Sequence, residues 1–353
     1  MRENTCAAQP QQPLSHGRRL QLRPCEWTAR EPGGSAQAPT TLFGNRSQNP
    51  DFAAGFLAAS HSALLLRAFH VLAMSHRSPR YSTAISAVME MNKFVHVCLT
   101  PALIDQFDVS EAIVVVIDIL RATTTMCVAF DHGAELIVPV EKVEECLTYK
   151  PQGFITAGER SGEHLDGFDL GNSPFSYTRE AIGGKKIAIT TTNGTRAIKA
   201  AQERGAKEIV VGSFSNISLL TNWLIQQNEH VCLLCAGWRD NVTLEDTIFA
   251  GAMVRKLRHD FRRFQDTALV AETLFQSANV RKRYFFRHSS HFYRLVHLNL
   301  QEEVKYAMHR DTHPVLPIMI GNELHDISKV KGDYKAFKKQ VQAEQKARAA
   351  RQV

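Results

Sequence analysis

Lysine is missing from the first 90 residues of this 353-residue chain, although arginine recurs throughout them; the first lysine is Lys93. Membrane-length apolar runs are missing too. The run Phe52 to Leu66 is broken by Ser60, His61 and Ser62 and falls short of the roughly 20 residues a spanning helix needs. Cysteines are few and odd in number, seven in all, which argues against a disulfide framework and for reduced thiols in a cytoplasmic setting. Cys232 and Cys235 form a C-x-x-C. The surrounding VCLLCAG reads as a strand, which sends positions i and i+3 to opposite faces and disfavours a zinc or redox pair. Neither G-x-x-x-x-G-K-[ST] nor G-x-G-x-x-G occurs, so the usual nucleotide and dinucleotide cradles are excluded.

Against these absences, 44% hydrophobic and 22% charged residues are enough to build a sizeable soluble core. The net charge of +7 sits at the ends: residues 1–90 and 332–353 are basic, and 91–331 is mildly acidic. That distribution removes the electrostatic support for nucleic-acid binding by the core, and neither a nucleic acid nor a membrane is expected as partner. Residues 1–90, rich in Pro, Gly, Gln, Ser and Ala, read as a largely disordered appendage; their acids and prolines fit a transit peptide poorly. The composition changes at Met91, which opens the expected core, residues 91–331. Residues 332–353 read as a solvated basic helix or disordered tail.

Within the core, strands are expected at Phe94 to Cys98, Ala112 to Ile117, Leu136 to Val140, Gly153 to Ala157, Lys186 to Thr190, Glu208 to Val211 and Val231 to Leu234. Several are unbroken Val/Ile/Leu runs, as a sheet covered on both faces requires. The fold class is therefore a layered α/β/α core with a mostly parallel or mixed sheet, undivided or split into two α/β subdomains. The helix Arg196 to Arg204 closes on Gly205, placed for a left-handed cap. Beyond Glu245 the chain turns helical, at Ala250 to Phe264 and Asp266 to Ser277. In RKRYFFRHSSHFYRLVH, bases interleave with Tyr284, Phe285, Phe286, Phe292 and Tyr293. A helix that packs its rings inward is preferred over a stacking platform for single-stranded nucleic acid.

Ligands of open α/β sheets bind beyond the carboxyl ends of strands, and four polar stretches follow apolar runs here. In AIVVVIDILRATTT, Asp118 is placed to hold Mg²⁺ and Arg121 to grip phosphate or sulfonate, against the plainer reading of Asp118 as a helix cap. In TAGERSGEHLDGFDLGNSP, Glu159, Asp166 and Asp169 are candidate cation ligands or acid/base groups, and Arg160 a second anion clamp. In KKIAITTTNGTRAI, the turn Thr192, Asn193, Gly194, Thr195 at a helix N-terminus reads as a phosphate cradle. In TLEDTIFAG, Thr243 and Asp246 suggest a capping box, and Glu245 or Asp246 a further metal carboxylate.

In this order and spacing, DILRATTT, AGERSGEHLDGFDLGNSP, TTTNGTRAI, GSFSN, CAGW and LEDTIFAG resemble the 2-phosphosulfolactate phosphatase family over roughly residues 92–325. The resemblance implies Mg²⁺-dependent hydrolysis of 2-phospho-3-sulfolactate to 3-sulfolactate and phosphate, in a coenzyme M or sulfolactate pathway. It implies that Asp118, Glu159, Asp169 and Glu245 or Asp246 surround metal and phosphate. Arg121, Arg160, Asn172, Ser173, Thr192, Asn193, Gly194 and Thr195 would then hold the anionic substrate. Another small phosphorylated hydroxy acid as substrate, or a non-catalytic anion- or RNA-binding module, are the alternatives, and homo-oligomerisation stays open. The Asp-x-Asp pair of haloacid-dehalogenase phosphatases is absent, since Leu120 stands two residues after Asp118.

Overall fold

The structure, a computed structural model, describes residues 93–263, 265–280 and 288–350. The appendage and the rings of Tyr284, Phe285 and Phe286 lie outside the described residues. Among the described residues eleven strands form one sheet: β1 (Phe94–Cys98), β2 (Ala112–Ile117), β3 (Leu136–Pro139), β4 (Ile155–Arg160), β5 (Glu163–His164), β6 (Lys186–Thr190), β7 (Glu208–Gly212), β8 (His230–Cys235), β9 (Arg262–Arg263), β10 (Pro317–Ile320) and β11 (Glu323–Asp326). Their order is β5-β4-β6-β3-β11-β10-β7-β2-β8-β1-β9.

Two parallel blocks make up this sheet, β7-β2-β8-β1 and β3-β6-β4, and the β10–β11 hairpin joins them. The hairpin is antiparallel to both neighbours, through one residue pair on each side, Ile318 with Val210 and Leu324 with Ile137. The two blocks therefore run in opposite senses. In a flat sheet their carboxyl ends would lie on opposite edges. The fold nonetheless brings loops of the two blocks together, beside the hydrophobic cluster that both blocks share. Gly194, just after β6, consequently lies against Asp118, just after β2.

The hairpin was not foreseen from the sequence. Its signal is nonetheless present in PIMIGNELHD: a two-residue Gly321–Asn322 turn with Gly321 at φ +63°, a conformation glycine enters without a Cβ penalty.

The helices of the described residues are α1 (Ala122–Asp131), α2 (Val143–Leu147), α3 (Arg179–Ile182), α4 (Gly194–Glu203), α5 (Ile217–Gln227), α6 (Leu244–Leu257), α7 (Asp266–Val280), α8 (Ser290–His297), α9 (Gln301–Ala307) and α10 (Tyr334–Ala350), besides short 3-10 turns. All six residues of β2 are at most 1% exposed, the consequence of packing on both faces that its unbroken apolar run demanded. One face of the first block meets α5, α6 and α7 through Ile113, Val115, Leu220, Phe249 and Met253. The opposite face meets α1 and α4 through Val114, Val116, Met126, Phe130 and Ile198, in a cluster shared with Ile137, Ile187 and Ile189 of the second block. Leu136, Val138 and Ala188 form a smaller outer cluster with Cys146 of α2 and Phe168. Cys232 and Cys235 fall in different clusters, as strand alternation requires. Burial pushes both thiols well above the usual range.

Helix α4 starts two residues earlier than expected, and Gly205 follows its end at φ +68°. The tail is helical, but it is tied down along one side and not simply solvated. Val341 is buried, Lys338 Nζ reaches Glu208 Oε1 at 2.5 Å, and Arg348 Nη2 reaches Glu323 Oε1 at 2.9 Å. Gln345 Nε2 donates to the Ile320 carbonyl at 2.6 Å, so α10 braces the central hairpin.

Candidate active site

Where β2 ends, polar side chains enter the sequence but stay buried. Asp118 is 7% exposed and accepts the Ala122 N–H at Oδ1, 3.3 Å away. The threonines that follow are the joinery of this loop: Thr123 donates to the Asp118 carbonyl, Thr124 to the Ile119 carbonyl and Thr125 to the Asn172 carbonyl, at 2.8, 2.9 and 3.0 Å. Arg121 is 5% exposed. Its guanidinium donates to Glu303 Oε2 on α9 at 2.5 Å and to the Gly162 carbonyl at 3.1 Å. Ser173 donates to the other oxygen of Glu303 at 2.6 Å.

Strand β4 runs three residues further than expected and carries Glu159 and Arg160 as its last two members. Adjacent strand residues point to opposite faces. Glu159 therefore turns inward and is 6% exposed. It accepts the Gly162 N–H at 2.6 Å, the Thr192 N–H at 2.7 Å and the Thr192 hydroxyl at 3.1 Å. The N-terminal turn of α4 is braced by reciprocal bonds in which the Thr191 N–H donates to the Thr195 hydroxyl and the Thr195 N–H to the Thr191 hydroxyl, both at 3.1 Å.

Helix α8 closes the site from above the strand ends. Ser289 caps it by accepting the Phe292 N–H. His291 and Arg294 stand three apart and so share a face. His291 Nδ1 is bonded to the buried Glu245 of α6, and Arg294 Nη2 donates to His291 Nε2. The Arg294 guanidinium also lies 4.8 Å from the centre of the Trp238 ring, with Arg239 at 4.9 Å. Burial and the nearby Arg121 push the Arg294 pKa down, while Glu159 pulls it up.

Asp118, Leu120, Arg121, Glu159, Gly162, Asn172, Thr192, Asn193, His291, Arg294 and Leu295 line one cavity. Within it the Asp118 pKa is raised to about 6, first by burial and further by Glu159 and Glu245, against the pull of His291 and the Ala122 N–H. Asn172 Oδ1 is buried with no hydrogen-bond partner among the described residues. Two carboxylates and an unpaired amide oxygen among the lining residues are hard donors that fit a divalent cation such as Mg²⁺. The opposite chemistry, two guanidiniums and a helix N-terminus, fits an anion.

A family model described as 2-phosphosulpholactate phosphatase matches residues 98–322. The chain belongs to that family. Among its relatives, a protein of Thermotoga petrophila named probable 2-phosphosulfolactate phosphatase is 38% identical over 206 residues, 58% of this chain and 88% of the relative. Similarly named proteins of Thermotoga maritima and a Synechocystis species are 37% identical over 206 residues and 35% over 211 residues. These alignments take in 58% of this chain each, and 88% and 87% of the relatives.

Not every residue expected at this family site reaches the cavity. Asp118, Arg121, Glu159, Asn172, Thr192 and Asn193 line it, with Gly194 directly behind Asp118. Arg160 does not: its guanidinium donates to the Glu159 and Glu141 carbonyls and the Thr190 hydroxyl, at 2.8, 2.8 and 2.9 Å, so it braces the loop. Asp169 spends its carboxylate on the Thr156 N–H and hydroxyl and on Lys150, at 2.9, 2.8 and 2.8 Å. Asp166 is exposed. Ser173 acts through Glu303, and Thr195 through its own turn.

The expected capping box of Thr243 and Asp246 takes another form. Asp246 accepts the Ile119 N–H at 2.9 Å, the Gly237 N–H at 3.1 Å and the Thr243 hydroxyl at 2.8 Å, pinning the loops after β2 and β8 together. Burial, then Glu245 and Asp118, push its pKa well up. Glu245 orients His291. His291, Arg294, Glu303 and the Trp238–Arg239 pair were missed from the sequence. The available signal was the His-x-x-Arg spacing within SSHFYRLVH, which lies among aromatic rings of which Phe292 packs on the core and Tyr293 is 55% exposed. Among the described residues no helix is long and apolar enough to cross a membrane.

Proposed function

We propose that this protein is a Mg²⁺-dependent phosphatase that hydrolyses 2-phospho-3-sulfolactate to 3-sulfolactate and phosphate. One observation carries the reading: a single cavity at converging strand ends sets Asp118 and Glu159 against Arg121, His291 and Arg294. Family membership and the names of the relatives supply the substrate.

Asp118, Glu159 and Asn172 Oδ1 are the groups that would hold the cation, which when bound polarises the phosphoryl oxygens and offsets their charge. Arg121, fixed by Glu303, keeps guanidinium N–H groups free for the phosphate, beside the N-terminal turn of α4. Arg294 and Arg239, whose guanidiniums lie 4.8 and 4.9 Å from the centre of the Trp238 ring, serve the sulfonate and carboxylate end of the substrate. A substrate with two anionic ends is why two separated cation groups are needed.

Water attacks phosphorus and the bond to the sulfolactate oxygen breaks; one hydrogen of the water stays on the phosphate product and the other leaves to solvent, from which His291 later regains the proton it gives. The leaving oxygen needs a proton. An anion that draws Arg294 to itself frees His291 Nε2, which Glu245 holds in place through Nδ1. His291 in its protonated form then gives that proton to the leaving oxygen. The test is phosphate release from 2-phosphosulfolactate by the folded chain, with Mg²⁺ and with a chelator. Turnover that needs Mg²⁺ and falls for phospholactate, which lacks the sulfonate, is expected; no turnover with excess Mg²⁺ overturns the proposal.

A further inference from the structure

At the carboxyl end of α1 stands a second group of ligand-type side chains, outside the phosphatase cavity. Asp131 is the last residue of α1 and His132 its cap; His313, on the segment leading into β10, reaches the same place. One donor atom from each of the three lies within 4.8 Å of the others.

Electrostatics makes this an uneasy place for an unattended carboxylate. A helix carboxyl end carries partial negative charge, so Asp131 adds like to like; Lys329 Nζ, which donates to the Phe130 carbonyl at 3.2 Å, and His313 answer it in part, and a dication would answer it further. The imidazoles are also braced from outside the group. His132 Nδ1 lies 2.6 Å from the Tyr177 carbonyl oxygen, which can only accept. Nδ1 therefore carries the hydrogen, and in the neutral ring Nε2 is the nitrogen free to coordinate. His313 has Nε2 2.7 Å from the Tyr306 hydroxyl and Nδ1 3.0 Å from Asp131 Oδ2. The hydroxyl can donate or accept, so it supports the ring in either tautomer. Outer hydrogen bonds of this kind are how metal-binding histidines are commonly oriented.

We propose that Asp131, His132 and His313 form a site for a transition-metal dication of the zinc type. Two imidazole nitrogens and one carboxylate oxygen suit Zn²⁺, whereas the oxygen donors Asp118, Glu159 and Asn172 of the phosphatase cavity suit Mg²⁺. Tetrahedral zinc with bonds near 2.0–2.1 Å sets its donors about 3.4 Å apart, so a modest closure of the present spacing completes the site. In the bound form the neutral His313 ring carries its single hydrogen at Nε2, donated to the Tyr306 oxygen, and Nδ1 is left to the cation; a ring that held hydrogen at Nδ1 changes tautomer by exchange of that proton with solvent. No oxidation and no bond cleavage is involved. Asp131 and His132 are only partly buried, which gives the ion a way in from solvent. The site ties α1 to a segment 182 residues later in the chain, beside the central hairpin.

The experiment is titration of the metal-free, tag-free full chain with zinc sulfate in excess Mg²⁺, repeated with Co²⁺ to read ligand type from its visible absorption. One equivalent bound through nitrogen and oxygen is expected, with a raised melting midpoint. Asp131→Asn and His132→Gln should each weaken binding at least tenfold and remove the thermal shift, with circular dichroism unchanged. Asp118→Asn should leave it intact. No saturable binding, binding untouched by both cluster variants, or loss of binding in Asp118→Asn each overturns the proposal.

Discussion

Arg121 Nη1 lies 2.5 Å from Glu303 Oε2, and the two side chains are 5% and 6% exposed although 182 residues separate them. Breaking a buried pair by removing one charge typically costs about 3–5 kcal/mol, because the other is left uncompensated. Glu303→Gln should therefore lower the urea midpoint and also raise KM, since Arg121 loses its anchor. An unchanged midpoint together with an unchanged KM would show that the pair positions nothing.

Asp118 gives a prediction whose sign is set by burial. Its folded-state pKa of about 6 lies above the ordinary carboxylate value, so the protonated form is the one the fold favours. The ionised form then costs stability above pH 6, on the order of 2–3 kcal/mol for a shift of this size, and that cost fades as pH falls towards 4. Asp118→Asn should raise the melting midpoint at pH 8, match the parent near pH 4, and abolish turnover. In the parent, Mg²⁺ affinity should decline as pH drops through about 6, because protonation of Asp118 competes with the cation. Identical melting curves at pH 8 would contradict the assignment.

His291 is cast as the donor to the leaving oxygen. His291→Gln should reduce kcat by roughly 10²–10⁴-fold, with KM changed far less. A nitrophenyl phosphate, whose leaving group needs no proton, separates this role from binding. If the loss is as large with that substrate as with 2-phosphosulfolactate, the proton-donor role is wrong.

Two glycines separate site geometry from core packing. A Cβ on Gly194 would sit 2.5 Å from Ala122 Cβ and 2.9 Å from Asp118 Oδ2, so Gly194→Ala displaces the loop that carries the carboxylate. Misplacement near 1 Å can cost about 10²-fold in rate, and a loss of that order in kcat/KM is expected with the chain still folded. A Cβ on Gly251 of α6 would sit 1.9 Å from the Ala271 carbonyl of α7. Gly251→Ala should instead destabilise by about 1–3 kcal/mol, as overpacking does, read from the unfolding midpoint.

Strand ends were the most legible part of the sequence. Unbroken apolar runs announce a doubly covered sheet, and the polar residue that ends such a run, Asp118 above all, is marked by position alone. Legibility failed where a residue's direction depends on where its strand stops. Glu159 and Arg160 are neighbours with the same apparent promise, and only the full length of β4 sends one to the cavity and the other to the Glu141 and Glu159 carbonyls. It failed again for α8, whose contribution arrives more than a hundred residues after the first strand ends. Nothing local to SSHFYRLVH says that its histidine faces Glu245. Asp169 misled for a related reason: an acid in a glycine-rich loop has the composition of a ligand, but Lys150 and Thr156 had claimed it.

The hairpin of β10 and β11 sits in the middle of the sheet yet comes near the end of the chain. During synthesis both parallel blocks emerge before the element that belongs between them. Each then presents an unpaired strand edge, at β7 and at β3, until residues 317–326 have left the ribosome. A catalytic centre that draws on both blocks is accordingly expected to assemble only once this short ribbon, and α8 and α9 shortly before it, have been made.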